Sequence, residues 1–222
     1  MTPAAAVDIG PMGIYSPFRA GALAGVSGNR IGRWARYGLI RPTVHHGRPA
    51  NLYEFRDVAE AIVVHLLIDR RFSYEDIHRA IDHARAEYGE WPLLSAPLGV
   101  ARHAIEGDPR GAVVLRVTAG VYVDTADGRA NQIILKPELL EEVADMLRAG
   151  GWIARALGLR RIEVDPGKLG GTPVVRGRRW PIERVAQLAA DETGEQILVD
   201  EYGLDRRDVA ESVRWMKAAA EL

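Results

Sequence analysis

SPFRAGALAGVSGNRIGRWARYGLIRPTVHHGRPANLYEF, residues 16–55, decides how this chain is read. Ser16-Pro17 is a helix start, with Ser as N-cap and Pro at the first helical position, where its missing N–H costs nothing. Ala20, Leu23 and Ala24 follow at helical spacing. Gly25-Val26-Ser27 breaks and restarts the helix. Gly supplies the turn, Val26 plugs the corner between two helices, and Ser27 caps the second. That helix is expected from Gly28 to about Tyr37, with Ile31 and Trp34 facing inward and Asn29, Arg30, Arg33 and Arg36 largely on the other faces. Gly38-Leu39-Ile40 stops it and returns an apolar pair to the core.

Arg41 to Phe55 is punctuated by Pro42, Gly47 and Pro49. Thr43-Val44-His45 and Leu52-Tyr53-Glu54 read as two short strands around the tip His46-Gly47-Arg48. From Ser27 to Arg56, six arginines (30, 33, 36, 41, 48 and 56) stand against Glu54 alone, a local balance of +5. A charge run also suits a solvated helix face. The flanking turn and hairpin move the reading to DNA, with Arg and Asn at base edges in the major groove and basic groups such as Arg41, His46 and Arg48 on phosphates.

VSGNRIGRWARYGLIRP resembles the reading helix of MerR-type winged helix-turn-helix regulators and their excisionase-like relatives. Tyr53-x3-Asp57-Val58 is similar to that family's exit from the wing into its third helix, and Phe72-Ser73-Tyr74-Glu75-Asp76-Ile77 to its fourth-helix start. The likeness covers about residues 14–85. It implies a DNA-reading role for Ser27, Asn29, Arg30, Arg33 and Arg36, and for Arg48 in the wing. Gly32 stands where the family usually places Arg. The long dimerising helix of MerR activators is replaced here by a halt at Trp91-Pro92.

The chain has 222 residues, enough for one large or two small domains, with 47% hydrophobic and 27% charged residues and a formal net charge of −1. Attraction to DNA must therefore come from a local patch. Cysteine is absent, which excludes disulfides, thiolate zinc sites and a Cys nucleophile, and fits a cytoplasmic protein. No stretch is apolar enough to span a membrane, and MTPAAAVDIGPMG reads as a flexible arm over residues 1–13 without a secretory pattern.

Asp57 to Arg71 is expected to be a helix, with Ala59, Ile62, Val63, Leu66 and Leu67 forming its apolar stripe. Ser73 and Asp76 form a capping box for the next, which buries Ile77, Ala80, Ile81 and Ala84. His78 and His83 are five apart and no carboxylate completes a metal set, so His65, His78 and His83 read as packed or surface histidines. Within residues 92–160, Ala112 to Val123 predicts two strands, Asn131 to Leu135 a third, and Glu138 to Leu147 a helix. Trp152 to Leu159 reads as a short helix or linker. The region is a small β-meander that links or oligomerises.

In residues 161–222, Arg161 to Pro166 predicts a strand, Val174-Val175 a second, and Pro181 opens a helix. Thr193, with Gln196 three residues on, is expected to cap the next, packed by Ile197 and Leu198. Asp205 starts the last, with Val209, Val213 and Met216 inward and Trp215 alongside. Lys168 precedes Gly170-Gly171, so the glycine turn is no Walker loop. The pattern Asp-Pro, Gly-Gly-x-Pro-Val-x-x-Gly-x-Arg, apolar-Pro, helix, Glu-x-Ile-Leu and Tyr, over about Ile162 to Ala218, resembles a small helical family long catalogued as a domain of unknown function. Such domains are usually antitoxins of type II toxin–antitoxin modules whose partners are PIN-like ribonucleases.

The expected fold is mainly α with small β elements (α+β): a winged helix-turn-helix domain at 14–91, a middle region at 92–160, and a three-helix, helix-turn-helix-like domain at 161–222. The expected function is a VapB-type antitoxin that neutralises a PIN-like toxin through Arg176, Arg178, Arg179, Trp180 and Tyr202, and represses its own operon as a homodimer or toxin–antitoxin hetero-oligomer. The other reading is a MerR-like regulator sensing a small ligand through residues 93–160. No nucleophile–base pair, paired carboxylates or metal-ligand spacing points to an enzyme, and no cofactor is implied.

Overall fold

The computed structural model describes residues 13–45, 50–95, 98–101, 112–118, 121–124, 130–131 and 139–222. Helix α1 (Pro17–Ala24) begins where Ser16 Oγ accepts from the Arg19 N–H at 3.4 Å and ends at Gly25. Val26 is buried in the corner, its N–H donating to the Gly21 carbonyl at 2.9 Å. Helix α2 (Gly28–Arg36) is capped by Ser27, whose Oγ accepts from the Arg30 N–H at 3.3 Å. Ile31, Trp34 and Ala35 are its buried face. Trp34 is fully buried, which stabilises the fold by roughly 1.5–3 kcal/mol, and its Nε1 donates to the Tyr74 hydroxyl at 3.4 Å.

After α2, His45 and Leu52 exchange both backbone hydrogen bonds, at 3.2 and 2.8 Å, in one isolated bridge. The expected second strand does not run on beside the first. Tyr53 pairs instead with Tyr15, at 2.8 and 3.0 Å, so the segment before α1 supplies the neighbour. The tip residues His46 and Arg48 lie outside the described residues.

Helix α3 (Phe55–Asp69) starts two residues before Asp57, because Glu54 is the N-cap and shares a capping box with Asp57. Helix α4 (Tyr74–Tyr88) opens on the Ser73–Asp76 box, and α5 (Pro92–Ser95) is a single turn. The middle region holds a four-stranded antiparallel sheet in chain order: β1 (Leu98–Ala101), β2 (Ala112–Thr118), β3 (Val121–Asp124) and β4 (Ala130–Asn131). The expected meander gains β1, four residues without a clear alternation. The rest of the strand expected over Asn131–Leu135 lies outside the described residues.

Helices α6 (Leu139–Arg148) and α7 (Gly151–Ala156) lead to the hairpin of β5 (Ile162–Glu163) and β6 (Val174–Val175), then to α8 (Ile182–Leu188), α9 (Glu192–Asp200) and α10 (Arg206–Ala220). Thr193 is not the cap of α9. Asp191 is, with its carboxylate accepting from the Gly194 N–H at 2.8 Å, and Gln196 turns to Asp200. On α10, Trp215 faces the core and Val213 is exposed; Ile197 on α9 is also exposed. Trp215 is held inward by its Nε1, which donates to the Gly150 carbonyl at 2.9 Å. The described residues are mainly helical with small antiparallel sheets, and none of their helices is long and apolar enough to cross a membrane.

One hydrophobic core runs from Tyr15 to Ala219. Helix α1 lies at its centre, packed on α2 and α3 and also on α7. Trp152 of α7 stacks on His65 of α3, ring centroids 4.0 Å apart, and covers Gly25, where a Cβ would overlap the indole. His65 Nδ1 donates to the Ala24 carbonyl at 2.7 Å. Burial holds the His65 pKa below its ordinary value, against the opposing pull of that carbonyl and of Asp69, and Arg30 adds to the lowering. The unfolded chain therefore binds this proton more readily than the folded one. Stability from His65 is full above the ordinary value of about 6.5 and is lost as pH falls below it. Urea unfolding of wild type and His65→Gln between pH 7.5 and 5 is expected to show a steeper decline in the wild type; parallel curves would remove His65 as the cause.

Candidate nucleic-acid interface

Helix α2 presents Asn29, Arg30, Arg33 and Arg36 to solvent because Ile31, Trp34 and Ala35 take the core side. Among the described residues, no carboxylate stands within ion-pair distance of Arg30, Arg33 or Arg36. Many other arginines are engaged. Arg19 reaches Glu183 at 2.9 Å, Arg79 reaches Asp76 at 2.6 Å, and Arg161 reaches Asp208 at 3.6 Å. The exposed face of α2 thus keeps three guanidiniums available to an anion. Arg41 differs from them: it pairs with Glu90 at 2.5 Å and lines a separate cleft beyond the C-terminal end of α2.

A second cleft of about 1050 Å³ runs along α2 from its start to Arg36. Ser27, Gly28, Asn29, Gly32 and Arg36 form one wall, Ser16, Pro17 and Phe18 of the α1 start another, and Ala50 and Asn51 the base of the hairpin. Ala219, Ala220 and Leu222, from α10 and the residues after it, close the remaining side. Sequence reasoning singles out Ser27, Asn29 and Arg36 here. It misses Asn51 and the α10 end, because residues so far apart in the chain carry no shared local signal.

The hairpin is fixed to α3 by a buried carboxylate. Asp57 Oδ2 accepts from the Thr43 N–H at 2.9 Å, the Thr43 hydroxyl at 2.8 Å and the Glu54 N–H at 2.9 Å. Its Oδ1 accepts from Trp91 Nε1 at 2.9 Å. Arg56 lies 4.7 Å over the Trp91 ring. Burial raises the neighbouring Glu54 pKa, the Asp57 charge raises it further, and Arg56 opposes. Nearby, Glu60 accepts from the Leu93 N–H at 2.7 Å. One turn of α3 therefore ties down Thr43, at the entrance to the hairpin, together with the chain after α4.

The second group of sequence-singled residues lies on the turn after β6 and its surroundings. Arg176 donates to the Ile162 carbonyl at 3.1 Å and Arg178 to the Gly203 carbonyl at 2.7 Å. The half-buried Trp180 meets the exposed Tyr202 edge-on at 4.9 Å, and Arg179 is exposed. Backbone carbonyls leave both bonded guanidiniums charged and partly accessible, so this surface combines positive charge with aromatic area.

The turn before β6 also holds the N-terminal segment. Ile14 donates to the Gly170 carbonyl at 3.2 Å, and the buried Tyr15 hydroxyl lies against Gly171. That hydroxyl has no hydrogen-bond partner among the described residues, and burial, helped by Asp165, raises its pKa.

Residues 162–215 match DUF433, a family described as a protein of unknown function. The match spans β5 to most of α10. Among solved structures, the X-ray crystal structure of Rv2018 from Mycobacterium tuberculosis is similar to this chain, with a TM-score of 0.55 at 17% identity over 90% of this chain and 96% of that one. At that identity the likeness concerns the fold alone, and it extends well beyond the DUF433 segment. No curated protein matches the chain.

Proposed function

We propose that this chain is a DNA-binding antitoxin of a type II toxin–antitoxin module. In this reading α1 and α2 form a MerR-like helix-turn-helix, α2 lies in the major groove, and the His45–Leu52 hairpin is the base of the wing. The DUF433 segment binds and neutralises a PIN-like ribonuclease through Arg176, Arg178, Arg179, Trp180 and Tyr202, and the module represses its own operon. The observation that carries the DNA-binding part is the row of exposed arginines on α2 without carboxylate partners among the described residues. The antitoxin part rests on the resemblance of about Ile162 to Ala218 to domains that are usually antitoxins, with the Trp180–Tyr202 pair beside the arginines as the exposed surface.

Helix α2 is nine residues long and reads one half-site, so two copies on a pseudo-palindromic operator are expected. Arg33→Ala is expected to weaken binding to the upstream DNA by about 1–3 kcal/mol, roughly 5- to 150-fold, measured by fluorescence anisotropy at fixed salt. Equal affinity for the variant and the wild type would count against α2 as the reading helix. The antitoxin part is tested by co-expression with the product of the adjacent small gene and size-exclusion chromatography. A co-eluting complex without ribonuclease activity supports it. Separate elution, with upstream DNA still bound, leaves a stand-alone regulator.

A specific observation favours a ligand-sensing regulator, at a place other than the expected residues 93–160. The cleft of about 680 Å³ beyond the C-terminal end of α2 is lined by Arg41, Thr43, Arg85 and Trp91, and the buried Nε of Arg85 has no hydrogen-bond partner among the described residues. A small acidic ligand there would act directly on the end of the reading helix. It would reveal itself as a thermal shift of the isolated protein that is lost in Arg85→Gln.

A further inference from the structure

The far end of α10 is joined to the proposed operator surface by geometry that neither local motif contains. Ala219, Ala220 and Leu222 line the same cleft as Ser27, Gly28, Asn29, Gly32 and Arg36. A duplex seated on the start of α2 would lie beside the last turn of α10. Ala219 is buried and Ala220 exposed, so only one small side chain stands there; the carbonyl end of the helix opposes an anion, and Lys217 supplies the attraction. On α10, Arg206, Ala210, Val213, Lys217 and Ala220 follow one another at spacings of three and four, so they share a face. All five are exposed. Lys217 stands one turn before Ala220, on the stripe that ends at the cleft. No carboxylate pairs with it among the described residues, whereas Arg206 at the other end is taken up by Glu195 at 3.8 Å and Gln196 at 3.3 Å. Glu221, next to Ala220, is exposed and carries the opposing charge.

We propose that the last turn of α10, through Lys217, forms a second contact with the DNA phosphate backbone beside the α2 surface. This rests on the DNA-binding reading of α2. The consequence is that the DUF433 segment takes part in operator binding directly, with Glu221 limiting the strength of that contact.

The test is anisotropy titration of the full chain with a fluorescein-labelled duplex of about 30 bp, roughly three helical turns, across a series of KCl concentrations. One phosphate contact contributes about 0.9 to the slope of log K against log salt. Lys217→Ala is expected to reduce that slope by about 0.9 per copy bound and to weaken binding several-fold at low salt. Glu221→Lys is expected to strengthen binding and steepen the slope. Both residues are exposed, and unchanged melting curves will verify that both variants fold. The outcomes separate the two readings. If Arg33→Ala weakens binding while both α10 variants leave slope and affinity unchanged, the α10 contact is overturned and α2 stands. If the wild type binds no duplex in a salt-dependent way, both are overturned.

Discussion

Gly171→Ala is expected to be among the most damaging single-methyl additions in the chain. Gly171 is buried with φ of +78°, and a Cβ there would overlap the Tyr15 hydroxyl oxygen and stand 2.7 Å from Cζ. Backbone strain costs roughly 1–3 kcal/mol, and overpacking a further roughly 1–3 kcal/mol. The combined loss of about 2–6 kcal/mol corresponds to a fall in Tm on the order of 10 °C for a chain of this size. Gly170 is the control. Its φ is +62° but a Cβ there meets nothing within 4 Å, so Gly170→Ala carries the strain without the clash. A double-mutant cycle with Tyr15→Phe isolates the contact. Tyr15→Phe alone is expected to be neutral or stabilising, since the buried hydroxyl it removes has no partner among the described residues. In the Tyr15→Phe background the Gly171→Ala penalty should shrink without vanishing, because the ring carbon at 2.7 Å remains. Equal melting temperatures for the Gly170 and Gly171 variants would show that Tyr15 does not occupy this socket.

Asp57→Ala is expected to cost about 3–5 kcal/mol, because three N–H donors and the Thr43 hydroxyl lose their shared acceptor at roughly 1–3 kcal/mol each and water reaches some of them. The Thr43 N–H, the Glu54 N–H and Trp91 Nε1 all end on this one carboxylate. Asp57→Asn keeps one acceptor oxygen and should lose less. Urea unfolding gives both values. The more telling readout is DNA binding under folding conditions. On the proposed DNA-binding reading, freeing Thr43, which leads into the His45–Leu52 bridge, should weaken phosphate contacts more than base contacts, read as a shallower salt dependence. A loss of stability no larger than that of an exposed aspartate, such as Asp82, would show that the hub is dispensable.

Local chemistry is the legible part of this fold. Ser16-Pro17, Gly25-Val26-Ser27 and Ser73-Asp76 act through partners three to five residues away, and each stands where its pattern predicts. Thr193-Gln196 fits the same capping pattern and still fails, because Asp191 provides a carboxylate two residues earlier at the point where the chain leaves α8. A carboxylate accepting an N–H bonds more strongly than a hydroxyl does. The side preference of Trp215 over Val213 is set by Gly150, 65 residues away, through the indole hydrogen bond. The site divides in the same way. The exposed faces of Arg30, Arg33 and Arg36 follow from helical periodicity alone. The ion pair that occupies Arg41, the pairing of Tyr15 with Tyr53, and the meeting of α10 with α2 depend on contacts between distant segments, to which periodicity is blind.

The placement of α1 at the centre of a single core has a consequence during synthesis. Helices α1, α2 and α3 leave the ribosome early, but the surfaces that cover Leu23, Gly25, His65 and Tyr15 are Gly151, Trp152 and the Gly170-Gly171 turn. These are made about a hundred residues after Tyr53, a delay on the order of ten seconds at ordinary elongation rates. Through that interval nascent α1, α2 and α3 present an apolar face that α7 and the later turn have not yet covered. A translating chain therefore completes the support of α1 only once the Gly170-Gly171 turn, near the start of the DUF433 segment, has been made.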